Sequence, residues 1–174
     1  ISSNVLAEFG YVRLNDNECS VRLANKASAT KAIIPEDAII DGKKYAVTQV
    51  ATSSFSSAPF LVRVRIPNSV KKIGNSAFNN CPELARIVLG NVEEIGNTAF
   101  YKCPKLEELF IPQSVKKVGS YILRNNNTQV RVRAEAAGPD WATNWNANNA
   151  NQNVEYNTAV NEKLELEPIF ANAR

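Results

Sequence analysis

The 174-residue chain reads as a mainly-β solenoid, a short stack of about four to five rungs built on parallel sheets. Three observations predict this. The motif Ile73-Gly74-Asn75-Ser76-Ala77-Phe78 returns 22 residues later as Ile95-Gly96-Asn97-Thr98-Ala99-Phe100. The segment before each motif alternates apolar and polar residues with period two, the mark of a half-buried strand. A unit this short cannot bury its own apolar face, so neighbouring units must stack to do it.

At the N-terminus, Tyr11-Val12-Arg13-Leu14 and Cys19-Ser20-Val21-Arg22-Leu23 flank Asn15-Asp16-Asn17-Glu18. That arrangement predicts a hairpin with a short loop, and residues 1–30 are assigned to an N-terminal cap. Repeats fill residues 31–134. Ala32-x-Ile34-Pro35 opens a divergent first copy whose additional residues gather around the turn signal Asp41-Gly42. The same strand slots are then held by Leu61-x-x-Val64-x-Ile66, Leu84-x-x-Ile87-x-Leu89 and Leu106-x-x-Leu109-x-Ile111, with Gln129-x-x-Val132-x-Ala134 as a degraded last copy. A second, shorter strand follows each, as in Val70-x-x-Ile73. Gly90-Asn91-Val92 is one residue shorter than the corresponding corner at Pro67, so it should turn differently.

In phase, Phe55, Phe78, Phe100 and Leu123 should form one internal column. Lys71-Lys72, Glu93-Glu94 and Lys116-Lys117 share another slot, which predicts attractive pairs between successive strands. Cys81 and Cys103 occupy the slot of Ala58 and Asn126 and are expected as small buried groups. Residues 135–157 supply a second cap, in which Trp141 and Trp145 should cover the open end of the core. The Asn-rich stretch 144–153 reads as an irregular loop. Residues 158–174, with Lys163-Leu164-Glu165-Leu166-Glu167-Pro168, read as a tail or linker, or as one more strand.

Composition narrows the function. Twenty Lys and Arg against 17 Asp and Glu leave a formal charge of +3, which forces neither a nucleic-acid nor a membrane partner. The absence of histidine excludes Ser-His-Asp and Cys-His catalysis, His-ligated zinc and proximal-His haem. Cys19, Cys81 and Cys103 are an odd set with no CxxC spacing. No apolar run is long enough to span a membrane. A start at Ile1 rather than Met is expected of a processed product or an excised piece, whose signal peptide would lie outside this sequence. Glu107 and Glu108 point to opposite faces of a strand and so are not a convergent acid pair. No enzyme activity, cofactor or metal is expected.

The run Ile66-Pro67-Asn68-Ser69-Val70-Lys71-Lys72-Ile73-Gly74-Asn75-Ser76-Ala77-Phe78-Asn79-Asn80-Cys81-Pro82-Glu83-Leu84 resembles the BspA-like, or Treponema-type, leucine-rich repeat. The lead-in Gly42-Lys43-Lys44-Tyr45-x-Val47 and the ending Trp141…Trp145-Asn146 are similar to that family's flanks. The resemblance covers roughly residues 31–134. It implies a leucine-rich-repeat solenoid in a cell-surface or secreted protein that binds other macromolecules, often in host attachment, without enzyme chemistry. Ser69 and Ser114 stand where the common repeat class has a buried Asn, and their hydroxyls are expected to satisfy corner backbone groups.

The outward rows of the main sheet form the candidate site. One row is Lys31, Arg63, Arg86, Glu108 and Arg131, and the other is Ile33, Arg65, Val88, Phe110 and Arg133. Six of these ten are basic and one is acidic, an imbalance the whole chain lacks. Arg beside an aromatic is the composition of interface hot spots. Lys31, Arg63, Arg65, Arg86, Val88, Glu108, Phe110, Arg131 and Arg133 are therefore expected to bind a protein or glycan ligand, with Phe110 as the apolar anchor. Stacking aromatics are few and nucleic-acid motifs absent, so no nucleic-acid partner is expected. The chain is expected to be a monomer. The other reading is an intracellular scaffold using the same repeats, which reduced cysteines would favour. Asn126-Asn127-Thr128 is a lone glycosylation sequon.

Overall fold

A computed structural model describes residues 4–147 and 154–158. Fourteen strands are present among them. β1 (Phe9–Arg13) and β2 (Glu18–Leu23) form the predicted hairpin, paired antiparallel with Tyr11 opposite Val21. Its loop is an Asx turn: Asn15 Oδ1 accepts the amides of Asn17 and Glu18 at 2.9 Å each. The hairpin is not a separate lid, because β2 runs parallel to β5 (Lys43–Val50) and thereby extends the second sheet.

β3 (Lys31–Ile33) opens the main sheet. The additional residues of the first copy form a second hairpin, β4 (Asp37–Ile40) against β5, turning at Asp41 (φ 51°) and Gly42 (φ 81°). Two successive left-handed residues make the primed turn that matches strand twist. Four turns then repeat one plan: β6 (Arg63–Arg65) to β7 (Lys72–Ile73), β8 (Arg86–Val88) to β9 (Glu94–Ile95), β10 (Glu108–Ile111) to β11 (Lys117–Val118), and β12 (Gln129–Val132) to β13 (Asp140–Trp141). β14 (Val154–Glu155) follows and pairs with β12. All inter-turn pairings are parallel, as expected of a solenoid.

A single apolar cluster runs through the stack, and its phenylalanine column is as predicted. Phe55, Phe78, Phe100 and Leu123 are fully buried. Ring centroids lie 5.1 Å apart from Phe55 to Phe78 and 5.6 Å from Phe78 to Phe100. Phe9 of the hairpin joins the column, 6.4 Å from Phe55. At the other end Trp141 and Trp145 are buried edge to face at 5.2 Å. β13 pairs with β11, so this ending adds a further strand to the second sheet. Residues 148–153 of the Asn-rich loop and the 159–174 tail lie outside the described residues.

The recurring Ile-Gly-Asn is explained by how closely turns approach. A Cβ on Gly74, Gly96 or Gly119 would sit 2.6–2.7 Å from the backbone nitrogen of Thr52, Asn75 or Asn97 in the preceding turn. The Asn then accepts from the next turn: Asn75 Oδ1 from Asn97 N at 2.9 Å, and Asn97 Oδ1 from Ser120 N at 2.8 Å. The corner after this motif needs left-handed backbone, at Ser53, Ser76, Thr98 and Tyr121 and again at Ser57, Asn80, Lys102 and Asn125. The shorter Gly90 corner does turn differently, with φ at 60°.

The cysteine slot carries hydrogen bonds as well as bulk. Cys81 Sγ donates to Phe55 O at 3.2 Å, Cys103 Sγ to Phe78 O at 3.1 Å, and Asn126 Nδ2 to Phe100 O at 2.8 Å. Each turn thus donates to the phenylalanine carbonyl of the turn before. Asn126 Oδ1 also accepts Cys103 N at 2.8 Å, and the residue is buried. The sequon is therefore closed to glycosylation in the folded chain. Ser114 does satisfy a corner, donating to Val92 O at 2.8 Å. Ser69 Oγ does not, having no hydrogen-bond partner among the described residues.

Candidate binding face

The main sheet is split at its centre. β3, β6 and β8 form one half, and β10, β12 and β14 the other. At the seam the Arg86 guanidinium donates to Ala85 O at 3.1 Å. That carbonyl is the equivalent of Val62 O, which in the preceding turn accepts the amides of Ala85 and Arg86. At the seam this carbonyl receives a side chain where its equivalent receives the backbone of the next turn.

In the N-terminal half the predicted rows hold their register: Lys31, Arg63 and Arg86 stand opposite one another, as do Ile33, Arg65 and Val88. Arg63, Arg65, Arg86 and Val88 are half-buried on the face. Lys31 corrects the expectation of an outward, accessible cation. It is only 3% exposed, because the N-terminal segment bridges onto it at Leu6 and Ala7 N donates to Lys31 O.

In the C-terminal half the register differs from prediction. Glu108 faces Gln129 and Phe110 faces Arg131, rather than Arg131 and Arg133. The last copy has slipped by two residues. Arg131 still reaches Glu108, with Nε 3.6 Å from Oε2, and lies 3.7 Å from Glu155. Arg133 is exposed beyond the strand and covers the Phe110 ring at 5.6 Å. Phe110 is consequently 5% exposed and no anchor, a second correction.

In the N-terminal half Phe60 is 55% and Ile33 37% exposed, while Tyr156 beyond β14 is 37% exposed at the other end. Beside Phe60 an open groove of about 660 Å³ is lined by Val5, Thr30, Lys31, Val62, Arg63 and Glu83. Sequence reasoning passed over Phe60, although a signal was present. Its slot after the Pro is held by Glu83 and Lys105 in the next two turns, so an aromatic there occupies a solvent position. Glu83 and Lys105 pair with each other.

The second sheet shows the expected charge column. Lys72, Glu94, Lys117 and Asp140 follow one another in register. Glu94 lies 3.7 Å from Lys72 and 3.3 Å from Lys117. The three cysteines are free and buried. The adjoining Cys81 thiol, together with burial, pushes the Cys103 thiol up, and burial does the same to Cys19. Cys19, Cys81 and Cys103 have no exposed surface.

A family model described as the BspA type leucine rich repeat region matches residues 40–131 in six copies. Among solved structures, a leucine-rich repeat protein from Bacteroides capillosus is 29% identical with a TM-score of 0.65, over 71% of this chain and 93% of that one. The Treponema pallidum leucine rich repeat protein is 27% identical with a TM-score of 0.56, over 87% and 79%. A leucine rich cell surface protein from Faecalibacterium prausnitzii shares the fold at 18% identity, with a TM-score of 0.56 over 87% and 53%. Among curated proteins, none matches significantly by sequence.

Proposed function

On the premise that the chain belongs to the BspA-type leucine-rich-repeat family, we propose that it is a non-enzymatic protein-interaction module. In this reading it is an adhesin-type domain of a cell-surface or secreted protein, and it holds a host or matrix protein on the exposed face of its main sheet. One observation carries it. Arg63 and Arg65 of one strand stand beside Arg86 and Val88 of the next in parallel register, which gathers three guanidiniums on one face. Arg presents a planar fork that matches carboxylates.

The test is a pull-down against extracellular-matrix proteins and cell lysate, comparing the native chain with the triple variant Arg63→Glu, Arg65→Glu, Arg86→Glu. A partner retained by the native chain and lost by the variant, at nearly unchanged melting temperature, supports the reading. Equal retention overturns it. The free, buried thiols favour a second reading, an intracellular scaffold using the same face. Localising the product in its own cell separates the two.

A further inference from the structure

Resting on that reading of the main-sheet face, we infer that the ligand is gripped at the N-terminal half. We further infer that it is an acidic peptide segment bearing an apolar side chain. The argument begins with two columns of charge in one molecule. On the second sheet Lys72, Glu94, Lys117 and Asp140 alternate in sign from strand to strand. On the main sheet Lys31, Arg63 and Arg86 repeat the same sign in three adjacent strands. Like charges directly opposite destabilise a sheet. The second sheet alternates sign along its register, whereas the main sheet repeats one sign at Arg63 and Arg86.

The two halves of the main sheet also differ. In the C-terminal half the cations are answered within the face, Arg131 by Glu108 and Glu155, while Arg133 lies on Phe110. In the N-terminal half Arg86 has Glu107 at 3.7 Å, an acid at the seam whose side chain is 78% exposed. At the end where the groove lies, Arg63 and Arg86 stand in register on neighbouring strands. The groove runs beside Arg63, with Val62 and Thr30 lining it and Phe60 at its rim. The acid on its other side, Glu83, is engaged by Lys105 and so opposes an incoming carboxylate less.

Guanidiniums in register favour carboxylates through charge-assisted, forked hydrogen bonds. A groove of this volume beside an exposed ring favours an apolar side chain. A peptide carrying both satisfies both: its acidic residues on Arg63 and Arg86, its apolar residue in the groove against Phe60.

A display library of random 12-residue peptides, panned against the full chain, tests this. Enriched peptides should carry two or more Asp or Glu together with an aliphatic or aromatic residue. A selected peptide should bind at least tenfold more weakly to Arg63→Glu and to Phe60→Ala, each checked for an unchanged melting temperature. It should change less than twofold with Arg133→Glu. An absence of enrichment, or enrichment without acidic residues, overturns the inference. Acidic peptides lost only with Arg133→Glu overturn the N-terminal placement while leaving the broader face reading intact. Peptides insensitive to all three variants overturn both.

Discussion

Phe78→Ala tests whether the stack is one cooperative body. The Phe78 side chain has no exposed surface, and its ring lies between those of Phe55 at 5.1 Å and Phe100 at 5.6 Å. Returning a buried ring to water costs about 1.5–3 kcal/mol. Two aromatic contacts add about 0.5 kcal/mol or more each. The remaining cavity is walled above and below by rings held in their own turns, which limits collapse. The sum is about 4 kcal/mol, within the range of about 3–5 found for buried Phe to Ala. With a urea slope of about 2 kcal/mol/M, the unfolding midpoint should fall by about 2 M. The assay is equilibrium unfolding followed by both far-UV circular dichroism and tryptophan fluorescence. Trp141 and Trp145 are the chain's two tryptophans, and they pack at the C-terminal end of the core, turns away from Phe78. If neighbouring turns share stability, both signals move together. A loss below about 1.5 kcal/mol would refute the packing argument. A tryptophan transition left in place while the dichroism shifts would refute cooperativity.

Other expectations follow from the same geometry. Gly96→Ala puts a methyl 2.6 Å from Asn75 N, so it should destabilise by at least about 2 kcal/mol in the same denaturant assay. Glu94→Lys replaces two attractive neighbours with two repulsive ones and should cost about 1–2 kcal/mol at low salt; unfolding in 1 M salt should recover much of it. Cys19, Cys81 and Cys103 should resist a thiol reagent at neutral pH in the native state and react fully in denaturant, read by absorbance. The Glu18 carboxyl is held below its ordinary value by hydrogen bonds from Asn15 and then Thr48. A depressed folded value means its contribution is present above the unfolded glutamate pKa, about 4.3, and is lost as pH falls through the lower folded value. Glu18→Gln should therefore flatten the acid side of the stability profile in pH-dependent unfolding.

Much of the architecture was legible because a repeat reports one slot several times. Phe55, Phe78 and Phe100 identify a column that no single copy could establish. Gly74, Gly96 and Gly119 mark the close approach of turns in the same way. The register of the last copy was not legible for a physical reason. Strand side chains alternate with period two, so a slip of two residues keeps every residue on its expected face. Gln129–Val132 and the predicted pairing at Arg131–Ala134 satisfy the same pattern. The break in the main sheet between β8 and β10 was equally hidden: nothing in the repeat marks it. The candidate face was legible as a set of outward slots, but not as a surface. Periodicity places Lys31 and Phe110 outward correctly; it is silent on what then lies over them, the N-terminal segment in one case and the Arg133 guanidinium in the other. Phe60 shows the converse, a residue whose interest comes from breaking its column.

The alternating charges of the second sheet impose a parity on the length of the molecule. Removing the turn that carries Glu94 would set Lys72 against Lys117, and duplicating it would set two glutamates side by side. Removing or duplicating turns two at a time preserves every attractive neighbour. The Arg63 and Arg86 column has no such rule, since each added copy repeats the same sign. Duplicating the Arg63 and Arg86 turns together would therefore extend the basic column while keeping the opposite charges alternating.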